Sequence, residues 1–316
     1  MKNLSIIIPI FNDEEIIEEL LNRLEVVKKQ LCKRFKWKKD SIEVVFATDQ
    51  PTDQTLPKLK AYCTTHKGFK CINLSNRVGQ YISIKAGIKE SNGKAVVIMD
   101  ADLQDPPEII EPMVEQFLAG YDVVYGVRKK RIGESILYKL FCRLFYFILG
   151  RLMTTKIPEK SGEFRLLSRR AADAVIACKE ANIFFRGLAS WIGFKQKAVY
   201  FDRDKRFKGK TKYSFKRSVD YAIDGIISFS SKPLRYIMYF GWLIAFAGFS
   251  YAGYVLYLKV ILNVTGQGWA SLVVIILALG GLQLVALGII GEYIGRIYTE
   301  VKQRPLYFIQ DIFEKK

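Results

Sequence analysis

Val96-Val97-Ile98-Met99-Asp100-Ala101-Asp102-Leu103-Gln104-Asp105-Pro106-Pro107-Glu108 begins as an unbroken apolar run and stops abruptly at two carboxylates one residue apart. An apolar run with no polar alternation is expected of a parallel strand covered on both faces. In extended backbone, residues i and i+2 project to the same side, so Asp100 and Asp102 can converge on one cation, with Gln104 as a further oxygen ligand. Hard oxygen donors suit Mg²⁺ or Mn²⁺, ions that also bridge diphosphate oxygens. An Asp-x-Asp pair alone arises often by chance and usually marks a solvated turn. Its place at the end of a buried strand gives it weight.

The sequence before this stretch repeats one theme. Leu4 to Pro9 is a second apolar, β-branched run, and Glu14 to Leu31 has helical spacing with Ile17, Leu20, Leu21 and Leu24 on one face. Ile42 to Ala47 reads as a buried strand, and Asp49-Gln50-Pro51-Thr52-Asp53 as a turn in which Asp53 can cap the next helix. Lys70 to Leu74 is a short strand, Gly79 to Glu90 a helix, and Ala95 to Met99 a strand. Strand-helix alternation of this kind predicts an α/β domain with a largely parallel sheet. Such sheets bind ligands beyond the carboxyl ends of their strands. The loops at Phe11 to Glu14, Asp49 to Asp53 and Asp100 to Asp102 are therefore the places to look.

The C-terminal part has a different character. Tyr236 to about Leu262, and Trp269 to Ile290, are each apolar and long enough to cross roughly 30 Å of hydrocarbon at about 1.5 Å per residue. Their connector, Asn263 to Gly268, is uncharged. Lys232, Arg235, Arg296, Lys302 and Arg304 flank the outer ends, which by the positive-inside bias places both termini in the cytoplasm. Lys259 can snorkel to the far interface. Glu134 to Met153 fits a helix lying at a membrane interface or an ordinary core helix, and the sequence leaves both open. Arg203 to Arg217 is basic and reads as a loop, and Tyr221 to Ser231 is a second interfacial candidate. The N-terminal apolar stretch is too short and too quickly acidic for a signal peptide, so the first domain is expected in the cytoplasm.

Composition narrows the partners and the chemistry. Lys and Arg total 49 against 31 Asp and Glu, a formal charge of +18 in 316 residues. That excess calls for a polyanion, and the two apolar runs favour an anionic membrane over nucleic acid. Each basic residue beside such a surface is worth roughly 1 kcal/mol. The five cysteines form no C-x-x-C pair and read as free thiols. His66, the single histidine, lies in a polar stretch and reads as an exposed loop residue. Chemistry here is left to carboxylates and a metal.

The string Asp100-Ala101-Asp102-Leu103-Gln104-Asp105-Pro106-Pro107-Glu108 resembles the signature of the polyprenyl-phosphate glycosyltransferases of glycosyltransferase family 2. This group includes dolichol-phosphate mannose synthases and the bacterial undecaprenyl-phosphate glucosyltransferases. The resemblance runs from Ser5-Ile6-Ile7-Ile8-Pro9-Ile10-Phe11-Asn12 through Ser228-Phe229-Ser230, and the two C-terminal runs match the bacterial branch. It implies a GT-A (Rossmann-like) catalytic domain with interfacial helices and two transmembrane helices. The expected division is a cytoplasmic domain over 1–200, a basic acceptor loop and juxtamembrane helix over 201–233, the two spans over 234–293, and a cytoplasmic tail over 294–316.

Carried across residue by residue, the resemblance implies a metal and diphosphate site at Asp100, Asp102 and Gln104. The nucleotide pocket would involve Pro9, Phe11, Glu14 and Asp49. Tyr121-Asp122-Val123-Val124-Tyr125-Gly126-Val127-Arg128 follows the family strand that ends in a phosphate-binding Arg, here Arg128; the plain alternative is a surface Arg. Ser161-Gly162-Glu163-Phe164-Arg165 resembles the segment with the active-site acid, which is Glu163 here where the family usually has Asp. Arg165 would bind acceptor phosphate. Phe207-Lys208-Gly209-Lys210-Thr211-Lys212 resembles the basic acceptor loop, whose Lys210 and Lys212 can hold the lipid phosphate or the anionic membrane surface. Three further positions depart from the pattern. Phe11 stands for the frequent Tyr, and Thr48-Asp49-Gln50-Pro51-Thr52-Asp53 stands for Asp-Asp-Gly-Ser-x-x-Asp. Ser75-Asn76-Arg77-Val78-Gly79-Gln80 inverts the usual Arg-Asn order.

The implied reaction is inverting transfer of a hexose, with UDP-glucose expected and GDP-mannose as the alternative donor, to a polyisoprenyl phosphate. A homo-oligomer is the further partner that the resemblance suggests. A non-catalytic membrane scaffold finds support only in Thr48 and Glu163. A processive synthase would need more than two spans and a Gln-x-x-Arg-Trp string that is absent.

Overall fold

β1, Lys2–Ile10, lies near the middle of the sheet and is covered on both faces, buried without interruption from Leu4 to Ile10. The computed structural model describes residues 2–128, 161–180, 185–202, 227, 230–261 and 268–315. The other strands are β2 (Ile42–Thr48), β3 (Phe69–Leu74), β4 (Gly93–Ile98), β5 (Val123–Arg128), β6 (Ser161–Ser168), β7 (Gln196–Phe201) and β8 (Ile309–Glu314). They form one eight-stranded sheet in the order β7-β5-β6-β4-β1-β2-β3-β8. β4, β1, β2 and β3 run parallel, as the alternation predicts, whereas β6 runs antiparallel to both its neighbours and β8 antiparallel to β3.

The helices are α1 (Ile17–Arg34), α2 (Thr55–Thr65), α3 (Gln80–Lys89), α4 (Ile110–Leu118), α5 (Arg169–Ala177), α6 (Phe185–Trp191), α7 (Lys232–Ile261) and α8 (Trp269–Val301). Period-2 geometry sends Leu4, Ile6, Ile8 and Ile10 of β1 into one core with Leu20, Leu24 and Leu31 of α1 and Met113 of α4. Ile7 points to the opposite core with Ile84 and Ile88 of α3, Ala172 of α5 and Leu188 of α6. Helices on both faces explain why the strands lack polar alternation. Each fully buried Ile, Leu or Val contributes about 1.5–3 kcal/mol over its exposed state. Asp53 does not cap α2 directly: Gln54 holds the cap position, and Asp53 accepts the backbone N–H groups of Thr55 and Glu14 instead.

α7 and α8 are long and apolar enough to cross a membrane. Their bulky apolar side chains face outward, Trp242 at 72% exposure and Phe249 at 80%. Tyr293 Oη donates to the Ser230 carbonyl at 2.8 Å and fastens α8 to the chain entering α7. The segment taken from sequence as a tail ends in β8, which pairs with β3. The candidate interfacial helix at 134–153, most of 221–231, the loop with Lys210 and Lys212, Cys142, the side chain of Lys259 and Asn263 lie outside the described residues.

Candidate active site

The crevice begins where β1 and β4 part. Their ladder ends with the Met99 N–H donating to the Ile7 carbonyl at 3.1 Å. The next rung would need an N–H at position 9, and Pro9 has none. Pro9, buried in β1 opposite Ala47, thus acts on the site by stopping the ladder. Pairing of β1 with β2 continues to Ile10 and Thr48, so the chain opens on one side only.

Asp100 and Asp102 follow directly. Leu103 turns the chain in the left-handed region at φ 56° while its side chain stays buried, a costly backbone choice for a branched residue. The Gln104 N–H donates to Asp102 Oδ1 at 3.1 Å and sets that carboxylate's direction. Gln80, the first residue of α3, donates through Nε2 to Asp100 Oδ1 at 2.7 Å. The Asp100 carboxyl is pushed up to about 7, first by burial and then by the nearby charges of Asp102, Asp105 and Glu163, with Arg128 opposing.

β6 brings the remaining acid. Ile98 of β4 pairs with Arg165, the last pair of that ladder, and Glu163, two residues before Arg165 in β6, is near enough to Asp100 for its charge to raise the Asp100 carboxyl. Glu163 and Arg165 are both buried. The Tyr81 hydroxyl donates to Glu163 Oε1 at 3.4 Å, and the Tyr81 ring stacks on Phe185. Arg165 donates through Nη2 to the Gly162 carbonyl at 2.9 Å and lies 5.3 Å over the Phe185 ring. Arg128 donates through Nε and Nη2 to both oxygens of Asp105, at 3.0 and 2.8 Å. Its remaining N–H groups are what it has for a phosphate.

The residues of the first two strand-end loops form a separate wall. Asp49 accepts the backbone N–H groups of Val78 and Gly79 at 2.5 and 2.9 Å and so fixes the loop before α3, where Gly79 has φ 90°. Glu14 accepts the Gln54 N–H at 2.8 Å, and Asn12 and Thr52 bond reciprocally, which ties the first loop to the second. The Arg77 guanidinium lies 4.2 Å over the Phe11 ring at the mouth. The structure therefore gathers Asp100, Asp102, Glu163, Arg165 and Arg128 around one end of β4. Asp49 is linked to them through the loop that leads to Gln80, Phe11 lies under Arg77 of that loop, and Glu14 is bonded to the backbone of Gln54. Sequence reasoning missed Asp105, Gln80, Tyr81 and Phe185 as members of the site, although Asp105 and Gln80 stand inside strings it quoted. His66 is exposed, as expected, and its ring stacks on Tyr62; Cys32, Cys63, Cys71 and Cys178 are free thiols.

The donor set fits a hard divalent cation. Burial first, and then the crowding of acids, drives Asp100 toward protonation, and a positive charge beside it offsets both. Among the described residues no three His, Cys, Asp or Glu side chains close on one point. Two carboxylates with the rest of the shell from phosphate and water is a usual way to hold Mg²⁺.

Residues 5–176 match the model of glycosyl transferase family 2. The chain belongs to that family. Residues 232–297 of this glycosyltransferase match the GtrB C-terminal hairpin, which covers α7 and α8 nearly end to end. It is 44% identical to the uncharacterized glycosyltransferase YkcC of Bacillus subtilis (strain 168) over 97% of this chain and 93% of that protein. It is 34% identical to the SfII prophage-derived bactoprenol glucosyl transferase of Shigella flexneri, over 97% of each chain. The mannosyltransferase PcManGT of Pyrobaculum calidifontis, solved with GDP-Man and Mn²⁺, is 15% identical and superposes with a TM-score of 0.51 over 95% of this chain and 86% of that one. The glycosyltransferase thus has the GT-A-like mixed sheet that its sequence implied.

Proposed function

We propose that this glycosyltransferase moves a hexose, glucose or a close relative, from a UDP-sugar to undecaprenyl or another polyprenyl phosphate, with inversion, at the cytoplasmic face of a membrane. One observation carries the reading. Asp100, Asp102, Glu163 and Arg165 meet beyond β4 and along β6 in a chain that matches a bactoprenol glucosyl transferase over 97% of its length.

Asp100 and Asp102, with Gln104, would hold Mg²⁺ or Mn²⁺ against the donor diphosphate. When bound, that ion supplies Lewis-acid neutralisation of charge on the departing nucleotide. Arg128, steadied by Asp105, offers its free N–H groups to the same phosphates. Phe11 and Arg77 flank the base. A lipid monophosphate is mostly ionised at neutral pH, so Glu163 has no need to remove a proton and instead aligns the attacking oxygen. Arg165, Lys210 and Lys212 draw the acceptor phosphate. That oxygen forms its bond to the anomeric carbon as the bond to the diphosphate breaks on the opposite face, and the nucleoside diphosphate leaves. α7 and α8 would cross the bilayer with both termini cytoplasmic, and the positive charge of the chain would hold the domain on anionic lipid. Self-association belongs to the same reading.

The test is incubation of purified full-length protein with undecaprenyl phosphate and a panel of nucleotide sugars, with and without chelator, followed by mass spectrometry of the lipid. A hexosyl lipid from UDP-glucose that disappears with chelator is expected. Absence of any lipid-linked sugar across the panel would sink the reading.

A further inference from the structure

Gln50 stands at the tip of β2, one residue past Asp49, with φ 53°. The left-handed region is costly for a residue with a Cβ and free of that cost for Gly. Two hydrogen bonds hold Gln50 in place. Its Nε2 donates to the Leu74 carbonyl at 2.6 Å and to Gln310 Oε1 at 2.9 Å. A carbonyl only accepts, so the Leu74 bond fixes which end of the Gln50 amide is nitrogen, and Gln310 must present its oxygen. Gln310 belongs to β8, beyond the apolar hairpin, 260 residues away. It is also the extra residue of a β-bulge, because Asn73 pairs with Asp311 and Leu74 with Ile309. A bulge re-aims a side chain, and here it turns Gln310 toward the crevice end of the sheet.

We infer that Gln310 is a positioning residue for donor binding, supplied to the nucleotide wall by the strand that follows the hairpin. The path is short. Gln310 holds Gln50 in its strained conformation, the adjacent Asp49 accepts the N–H groups of Val78 and Gly79, and that loop carries Arg77 over Phe11. This rests on reading that wall as the donor site. Gly at position 50 takes the same φ at no steric cost, so it makes the tether unnecessary.

The experiment compares Gln310→Ala, Gln310→Lys, Gln310→Glu, Gln50→Gly, the double variant Gln50→Gly with Gln310→Ala, and Asp49→Ala, in full-length protein. Two quantities are read: the KM for UDP-glucose against kcat, and hydrogen exchange at the Val78 and Gly79 amides. Gln310→Ala and Gln310→Lys are expected to raise donor KM about 3- to 10-fold, the scale of one lost neutral hydrogen bond, with kcat little changed. Exchange at both amides quickens in parallel. Gln310→Glu keeps an acceptor and stays near wild type, a distinction that mere edge-strand stability would not make. In the Gln50→Gly background, Gln310→Ala adds nothing. Wild-type KM and exchange in Gln310→Ala, or equal losses in the Lys and Glu variants, would overturn the proposal. Quickened exchange with donor KM unchanged in every variant, Asp49→Ala included, would instead overturn the donor-site reading.

Discussion

Asp102→Asn keeps the side chain's shape and removes one negative charge from a crowded cluster. Transfer should fall by more than about a hundredfold, since even groups that only orient a metal ligand cost 10–100-fold. The thermal midpoint should hold or rise, because less like charge is confined beside Asp100. Wild-type turnover in purified Asp102→Asn protein would remove the metal assignment. Glu163→Asp keeps the charge but withdraws the carboxylate by one methylene from the Tyr81 hydroxyl. Misplacement on that scale lowers kcat by about 10–100-fold while donor KM stays put. An equal rise in KM would move Glu163 from the acceptor side to the donor side.

At the scale of elements, α3 is the piece that serves the site from both ends. Its first turn carries Gln80 and Tyr81, and its last turns press on β1. A Cβ at Gly87 would lie 2.4 Å from Cγ2 of the fully buried Ile7. Gly87→Ala therefore destabilises by about 1–3 kcal/mol despite the gain in helix propensity, read as a lower midpoint in denaturant. The β5–β6–α5 corner depends on Asp122, which accepts from Ser168 Oγ and from Arg170 Nε and Nη2. The Arg170 hydrogen bonds hold its carboxyl below the usual range. A depressed folded value means stability that is complete above about pH 4 and lost as pH falls through the folded value. Asp122→Asn should lower the melting temperature by several degrees at pH 7, and the gap to wild type should narrow progressively as the pH falls below about 4. A gap that stays constant from pH 7 down to the acid limit of folding would assign the effect to packing rather than charge.

For the whole molecule, the chain leaves the sheet from one edge strand, β7, and re-enters at the other, β8, after the hairpin. The catalytic domain and the apolar helices are thus closed into one unit by residues 302–314. A chain ending at Val301 keeps both long helices and loses β8, leaving β3 as a bare edge. It should melt at a lower temperature in detergent and transfer sugar more slowly, with donor KM raised. Unchanged donor KM in this truncation would show that β8 only protects the edge.

The central strands were legible because burial on both faces demands unbroken apolar runs, and Leu4 to Pro9, Ile42 to Ala47 and Val96 to Met99 supply them. The acids were legible as the abrupt polar end of an apolar run, but β4 stops at Ile98 and Asp102 lies in the turn that follows, so it is the turn and not extended backbone that sets it beside Asp100. The two long helices followed from length and apolarity alone. Other features depended on distance in space. Whether Arg128 meets a carboxylate or a ligand is set by Asp105, 23 residues away. β8 has only six residues, and its pairing with β3 joins segments more than two hundred residues apart, which no local pattern encodes. Local composition determines which segments must be buried; which distant partner satisfies each buried or strained group is decided only when the chain closes on itself.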